Sequence, residues 1–345
     1  MKLGLQLGYW GAQPTQGAAE LVAAAEEVGF DALFTAEAYG SDAFTPLAWW
    51  GRQTGRLRLG TSIAQLSART PTATAMAALT LDHLSEGRAI LGLGVSGPQV
   101  VEGWYGQPFA KPLARTREYV EILRKVWARQ EPVTNDGEHY RLPYQGPGEV
   151  GLGKPLKSIV HPLRADIPIW LGAEGPKNVA QTAEIADGWL PIFYLPAAAD
   201  MYRHWLDEGF ARPGARRTRE TFEVAASCHL HVTDDAQSAI DSLKPIVALY
   251  MGGMGAKEQN FHKNLFEQMG YGALAERVQE LYLSGRKKDA TALIPDELVD
   301  ALHIVGDAVK VRDRVQEWEE SGVTMLLLAC RTAREVHHAG DAVLG

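Results

Sequence analysis

LGLGVSGPQVVEGWYG, residues 91–106, places glycines at positions 92, 94 and 97. The spacing G-x-G-x-x-G is that of a dinucleotide-binding turn. Such a turn closes the first strand of an open parallel sheet, starts an uninterrupted helix, and is followed about 20 residues later by an acid that ends a second strand. Here the motif follows RAILGLGV (88–95), the fourth apolar run of the chain. Pro98, Gly103 and Gly106 interrupt the helix it should open, and Glu118, the acid at the right distance, lies inside an amphipathic helix. The dinucleotide reading fails on these three counts. What remains is a tight turn with free backbone N–H groups. Val95, Ser96, Gly97 and Gln99 would form an anion nest there, or an ordinary turn that uses glycine only for its shape.

Working outward, short apolar runs alternate with segments of helical period. LGLQL (3–7), DALFTAE (31–37), RLRLGTSI (56–63), RAILGLGV (88–95), IPIWLG (167–172), GWLPIF (188–193), FEVAASCHLHV (222–232) and VTMLLLA (323–329) read as strands. Gly29 is a natural stop for the first helix, and Pro46 and Pro71 sit in the first turns of the second and third. Eight strands with helices between them predict an α/β fold, a (β/α)8 TIM barrel, with an open doubly wound sheet as the other topology. Residues 130–166, rich in proline and glycine, and the long helical stretch 237–302 read as insertions in a single domain spanning 1–345.

Composition narrows the function classes. The 345 residues are 46% hydrophobic and 22% charged, enough apolar material for a large core. A net charge of −8 without any Lys/Arg-rich run argues against nucleic acid as a partner. Cys228 and Cys330 show no C-x-x-C spacing, and no window of the chain is continuously apolar enough to span a membrane. A cytoplasmic protein with neither a metal site nor a disulfide framework is expected. His229 and His231 share one strand face, but no third ligand is evident, so packed histidines are the simpler reading.

A second turn resembles the first. In Trp170-Leu-Gly-Ala-Glu-Gly-Pro176 the fifth strand ends in glycines, and Pro176 starts a helix whose N-terminus would point at the mouth of a barrel. Barrel active sites are built at that C-terminal face, and two adjacent Gly-rich turns suit a phosphate-bearing cofactor.

GTSIAQLSARTP (60–71), GRAILGLGVSGPQVVEGWYG (87–106), TREYVEILRKVW (116–127), ADIPIWLGAEGPKN (165–178) and EIADGWLP (184–191) resemble, in the same order, the luciferase-like coenzyme F420-dependent oxidoreductases of actinobacteria. The resemblance implies a luciferase-like barrel that binds the deazaflavin F420 at its mouth. It implies a non-prolyl cis peptide at Ser62–Ile63, with Thr61, Ser62 and Ile63 behind the ring. Val95, Ser96, Gly97 and Gln99, together with Ala173, Glu174, Gly175 and Pro176, would hold the phosphate and side arm. It further implies hydride transfer to or from a small carbonyl, alcohol or activated alkene, and a homodimer built through the second and third helices. An FMN-dependent monooxygenase or reductase and a non-catalytic flavin- or deazaflavin-binding barrel are the alternatives.

The chain also departs from the pattern. Some relatives carry an acid followed by histidine after the second strand, whereas TAEAYGSDAF has Glu37, Tyr39 and Asp42 and no histidine. Glu37 and Tyr39 are the candidates for proton handling, unless Glu37 pairs with a base such as Arg69 for structure. Pro98 stands where those relatives place a glutamate. Trp104, Trp189 and Phe193 are expected to line an apolar substrate pocket. Lys154, Lys157 and Arg164 are candidates for an anionic cofactor tail or for a solvated face.

Overall fold

The computed structural model describes residues 1–255 and 260–345. Eight parallel strands close into a ring: β1 (Lys2–Gly8), β2 (Ala32–Thr35), β3 (Arg58–Thr61), β4 (Ala89–Gly94), β5 (Ile169–Gly172), β6 (Gly188–Trp189), β7 (Glu223–Cys228) and β8 (Met325–Leu328). Closure runs through Leu3 beside Leu326 on one side and Leu59 beside Ala89 on the other. The outer helices are α1 (Ala18–Val28), α2 (Phe44–Gly51), α3 (Pro71–Leu84), α4 (Pro112–Ala128), α5 (Pro176–Ile185), α6 (Ala199–Phe210), α7 (Ala308–Glu320) and α8 (Ala333–Val343). Gly29 ends α1 with φ +98°, a left-handed conformation that glycine adopts without strain.

Alternation along each strand sorts the core into two layers. Leu33, Leu91 and Leu171 pack outward beneath the helices. Phe34, Ile90, Trp170, Leu190, Met325 and Leu327 fill the lumen, where Phe34 and Trp170 stack at 5.7 Å. The barrel is thus a packed core, and chemistry in such a fold is sited at the mouth formed by the C-terminal ends of its strands.

Three expectations meet differences. The sixth run yields a two-residue strand, because Pro191 has no N–H to offer the ladder. The seventh run divides at His229: β7 stays in the ring, while Leu230–Val232 leaves it to pair with Ile304–Gly306, a strand the sequence did not announce. Pro98, expected to spoil a helix, instead occupies the first turn of a short one, Pro98–Gly103, as its fixed φ permits.

Residues 130–166 carry the antiparallel pair Asn135–Asp136 and Arg141–Leu142 and an antiparallel bridge between Val133 and Leu156. The stretch 237–302 holds the helices Ala236–Gly252, Phe261–Phe266, Gly272–Leu283, Lys287–Ala292 and Asp296–Leu302. Among the described residues no helix is long and apolar enough to cross a membrane, and no group of His, Cys, Asp or Glu has metal-holding geometry.

Candidate active site

The third strand does not run straight to the mouth. After Thr61 the Ser62–Ile63 peptide is cis, and the strand resumes as Ala64–Gln65, paired with Leu93 and Gly94. The Thr61 hydroxyl donates to Gly92 O at 2.7 Å and accepts from Gly92 N–H at 3.0 Å. Ser62 N–H donates to Thr35 O at 2.7 Å. The Ile63 side chain lies over the lumen, where a Cβ on Gly94 would approach it to 2.9 Å and one on Gly172 to 3.2 Å. Two glycines therefore leave the space in which this bulge sits, a close approach that only a missing side chain allows.

Glu37 secures the bulge from the side. Its carboxylate accepts from Gln65 N–H at 2.8 Å, from Ala43 N–H at 3.2 Å and from Arg69 Nη1 at 2.8 and 2.9 Å. Its own N–H donates to Ile63 O at 3.2 Å. Arg69 also stacks on Phe44 at 5.1 Å. The carboxylate expected to handle protons is buried and engaged by three donor groups, in the ion pair with Arg69 that was its alternative reading.

The two Gly-rich turns lie on the adjacent strands β4 and β5. Ser96 has φ +59° and Gly175 has φ +77°, so both turns fold back tightly. Gly175 caps α5 without any side-chain hydrogen bond, which leaves first-turn N–H groups of that helix for an anion. Ala173 is buried, and its carbonyl accepts from Trp189 Nε1 at 2.9 Å. Glu174 corrects the expectation for its side chain: the carboxylate turns to His262 Nδ1 at 2.6 Å and is not directed to an anion, which it would repel. Its other oxygen, Oε2, is buried and has no hydrogen-bond partner among the described residues.

Aromatic residues divide between rim and core. Tyr39 and Trp104 are exposed on the rim with ring centroids 6.5 Å apart, and Tyr105 reaches Ala38 O at 3.4 Å beneath them. Trp189 is a correction. It is fully buried among Tyr194 and Tyr202, on the outward face of β6, so it lines no pocket. Phe193 is buried too, under the inserted helices, 5.3 Å from the Tyr250 ring and 5.1 Å from Phe266. Of the basic residues in 130–166, Arg164 pairs with Asp82 at 2.7 Å and Lys157 donates to Gln130 O at 2.6 Å, while Lys154 remains exposed.

Sequence reasoning missed His262, Tyr250 and Tyr9. His262 and Tyr250 belong to inserted helices that carry no motif, and only the fold brings them over the mouth. Burial pushes the Tyr250 phenol above its ordinary pKa, and the neighbouring Tyr9 and Glu174 add to the shift. His229 and His231 stack at 6.0 Å, and a third imidazole, His303, stands 5.2 Å from His229.

Comparison with known proteins places this geometry. The model of the luciferase-like monooxygenases matches residues 4–325. The chain belongs to that family. This luciferase-like barrel is 67% identical, over 97% of both chains, to a Mycobacterium tuberculosis protein whose provisional name is coenzyme F420-dependent oxidoreductase. It is 28% identical to the 5,10-methylenetetrahydromethanopterin reductase of Archaeoglobus fulgidus, over 88% of this chain and 86% of that one. Among solved structures, the coenzyme F420-dependent tetrahydromethanopterin reductase of Methanopyrus kandleri shares the luciferase-like fold with a TM-score of 0.81 at 24% identity, covering 99% of this chain and 98% of the other.

Proposed function

We propose that the protein is an F420-dependent oxidoreductase that moves a hydride between the deazaflavin and a small organic substrate, either a carbonyl/alcohol pair or an activated alkene. The observation that carries this reading is the 67% identity, over 97% of both chains, to a relative named for that cofactor. The residues present fit such a group. Gly94 and Gly172 accommodate the bulge that sets the Ile63 side chain over the lumen as a backing for a flat ring, and the uncapped start of α5 beside the Ser96–Gly97 turn suits a phosphate. When bound, the cofactor supplies a two-electron carbon donor or acceptor at its ring.

The chain's own residues would do the rest. Thr61, Ser62 and Ile63 would back the ring, held by Glu37 and Gly92. Val95, Ser96, Gly97 and Gln99, with Ala173, Gly175 and Pro176, would hold the side arm through their backbone. Tyr39 and Trp104 would cover the substrate side and exclude water. A homodimer through α2 and α3 accompanies this reading, supported by the exposed Trp49 and Met76 on those helices. A reducing cytoplasm suits the two unpaired cysteines.

Paired titrations with F420 and FMN, followed by tryptophan fluorescence, test the reading. F420 binding at least tenfold tighter than FMN is expected. Tight FMN binding alone would move the protein to the flavin-dependent monooxygenases or reductases. Binding without turnover of any carbonyl or enone would favour a non-catalytic barrel.

A further inference from the structure

The mouth holds one group of titratable residues to which the reading above gives no role. Glu174, in the turn after β5, and His262, on the inserted helix Phe261–Phe266, meet at 2.6 Å. The pair is partly open: His262 retains 23% of its side-chain exposure, and among the described residues its Nε2 makes no hydrogen bond. Glu174 Oε2 is buried with no partner among the described residues, a costly state that native structures keep where a donor arrives from elsewhere. The Tyr250 ring stands edge-on to the imidazole at 4.8 Å, and Phe193 lies beside Tyr250 on the same flank, 6.5 Å from the imidazole. Each contact comes from the C-terminal end of a strand or from the insertion that crosses it.

We propose that His262 is the proton donor and acceptor of the hydride-transfer site, with Glu174 as its positioning residue. The proposal rests on the oxidoreductase reading above. The carboxylate fixes the proton on Nδ1 and leaves Nε2 to exchange the working proton, the logic by which a second group sets an imidazole's tautomer. In the reducing direction, a substrate carbonyl carbon takes the hydride from the reduced deazaflavin while its oxygen takes the proton from Nε2. The C=O π bond breaks and a C–H and an O–H bond form. The cofactor is oxidised by two electrons, and the imidazole is left neutral. Alcohol oxidation runs the same steps backward.

Tyr39, the other candidate for proton handling, is exposed on the rim against Trp104. The segment after β2 has no histidine, and Glu37 is engaged by three donor groups. The groups facing His262 are Glu174 from the β5 turn and Tyr250 from Ala236–Gly252, with Tyr9 beside Tyr250. Lys263, next on the same helix, is paired with Glu267 at 3.1 Å. Among the described residues no ion pair joins His262 to the helix Gly272–Leu283.

The test has one arm that needs no substrate and one that does. Nitrogen-15 imidazole spectra of the full chain without cofactor, in wild type, E174Q and H262N, follow the one resonance that H262N removes. Expected is a neutral imidazole protonated on Nδ1 in wild type, with that tautomer preference lost in E174Q. An unchanged tautomer ratio in E174Q overturns the couple. In the second arm, wild type and H262N are titrated with F420 by fluorescence and assayed with reduced F420 against small ketones and menadione from pH 5 to 9. H262N should bind F420 within twofold of wild type, lose about 100-fold in kcat with KM little changed, and lose the wild-type pH limb. Equal turnover, a retained limb, or wild type that binds F420 yet reduces none of these acceptors overturns the proton role. Wild type that binds no F420 refutes the oxidoreductase reading instead, and the spectra then decide the couple alone.

Discussion

Thr61 and Gly92 clasp each other through two reciprocal hydrogen bonds, hydroxyl to carbonyl at 2.7 Å and amide to hydroxyl at 3.0 Å. A Cβ on Gly92 would collide with the Thr61 carbonyl oxygen. The first glycine of the G-x-G-x-x-G motif is therefore a seat for the bulge of the neighbouring strand. G92A should lower stability by at least ~3 kcal/mol, because two backbones and not a flexible side chain must move. T61V should cost about 2 kcal/mol by leaving a buried amide and carbonyl unpaired, while T61S should keep most of the stability. Urea midpoints of the three variants check the order.

Glu37 separates two roles in one substitution. As the anchor of the bulge, E37Q should cost about 3 kcal/mol by stranding Arg69 and weaken F420 binding, while the shape of the pH–rate profile survives. As a proton-handling group, E37Q would remove one limb of that profile at nearly unchanged stability. Measuring the midpoint and the profile on the same preparation decides between them.

Trp104 and Trp189, alike in sequence, should answer oppositely. W189A empties a buried site between β6 and its aromatic neighbours and should cost about 3–5 kcal/mol. W104A, exposed on the rim, should change stability by less than ~0.5 kcal/mol and raise the KM of an apolar ketone several-fold. Denaturation midpoints and steady-state kinetics read the two effects separately.

The three imidazoles behind β7 make the fold acid-sensitive. Burial lowers the His229 pKa to about 4, with His231 and Arg331 adding to the shift. Burial, with His229 and His231, holds His303 well below its ordinary value. A folded pKa below the unfolded one means that the unfolded chain binds the extra proton. Stability is therefore complete above about pH 6.5 and declines as pH falls toward 4. His229 alone accounts for about 3 kcal/mol at pH 4. Guanidinium midpoints from pH 8 to 4 should show that decline, and H229Q should flatten it; a parallel decline in H229Q would refute the assignment.

Much of this was legible in the chain itself. All eight barrel strands coincide with apolar runs, because a strand buried on both faces has to be apolar along its length. The glycines of both mouth turns were also located, since backbone that folds tightly or approaches closely restricts residue type locally, whereas the bulge at Ser62–Ile63 followed only from the family resemblance. Tertiary structure alone decided what depends on contacts across distant segments. It placed Gly92 under Thr61 and enclosed the Glu37 carboxylate between two backbone amides and Arg69. It turned Trp189 outward from a strand that Pro191 had shortened to two residues. It carried His262 from a helix without any motif to within 2.6 Å of Glu174, 88 residues away in the chain. Local sequence determines which backbone a segment can adopt, and the partners a side chain finds are determined only once the ring closes and the insertions fold across its mouth.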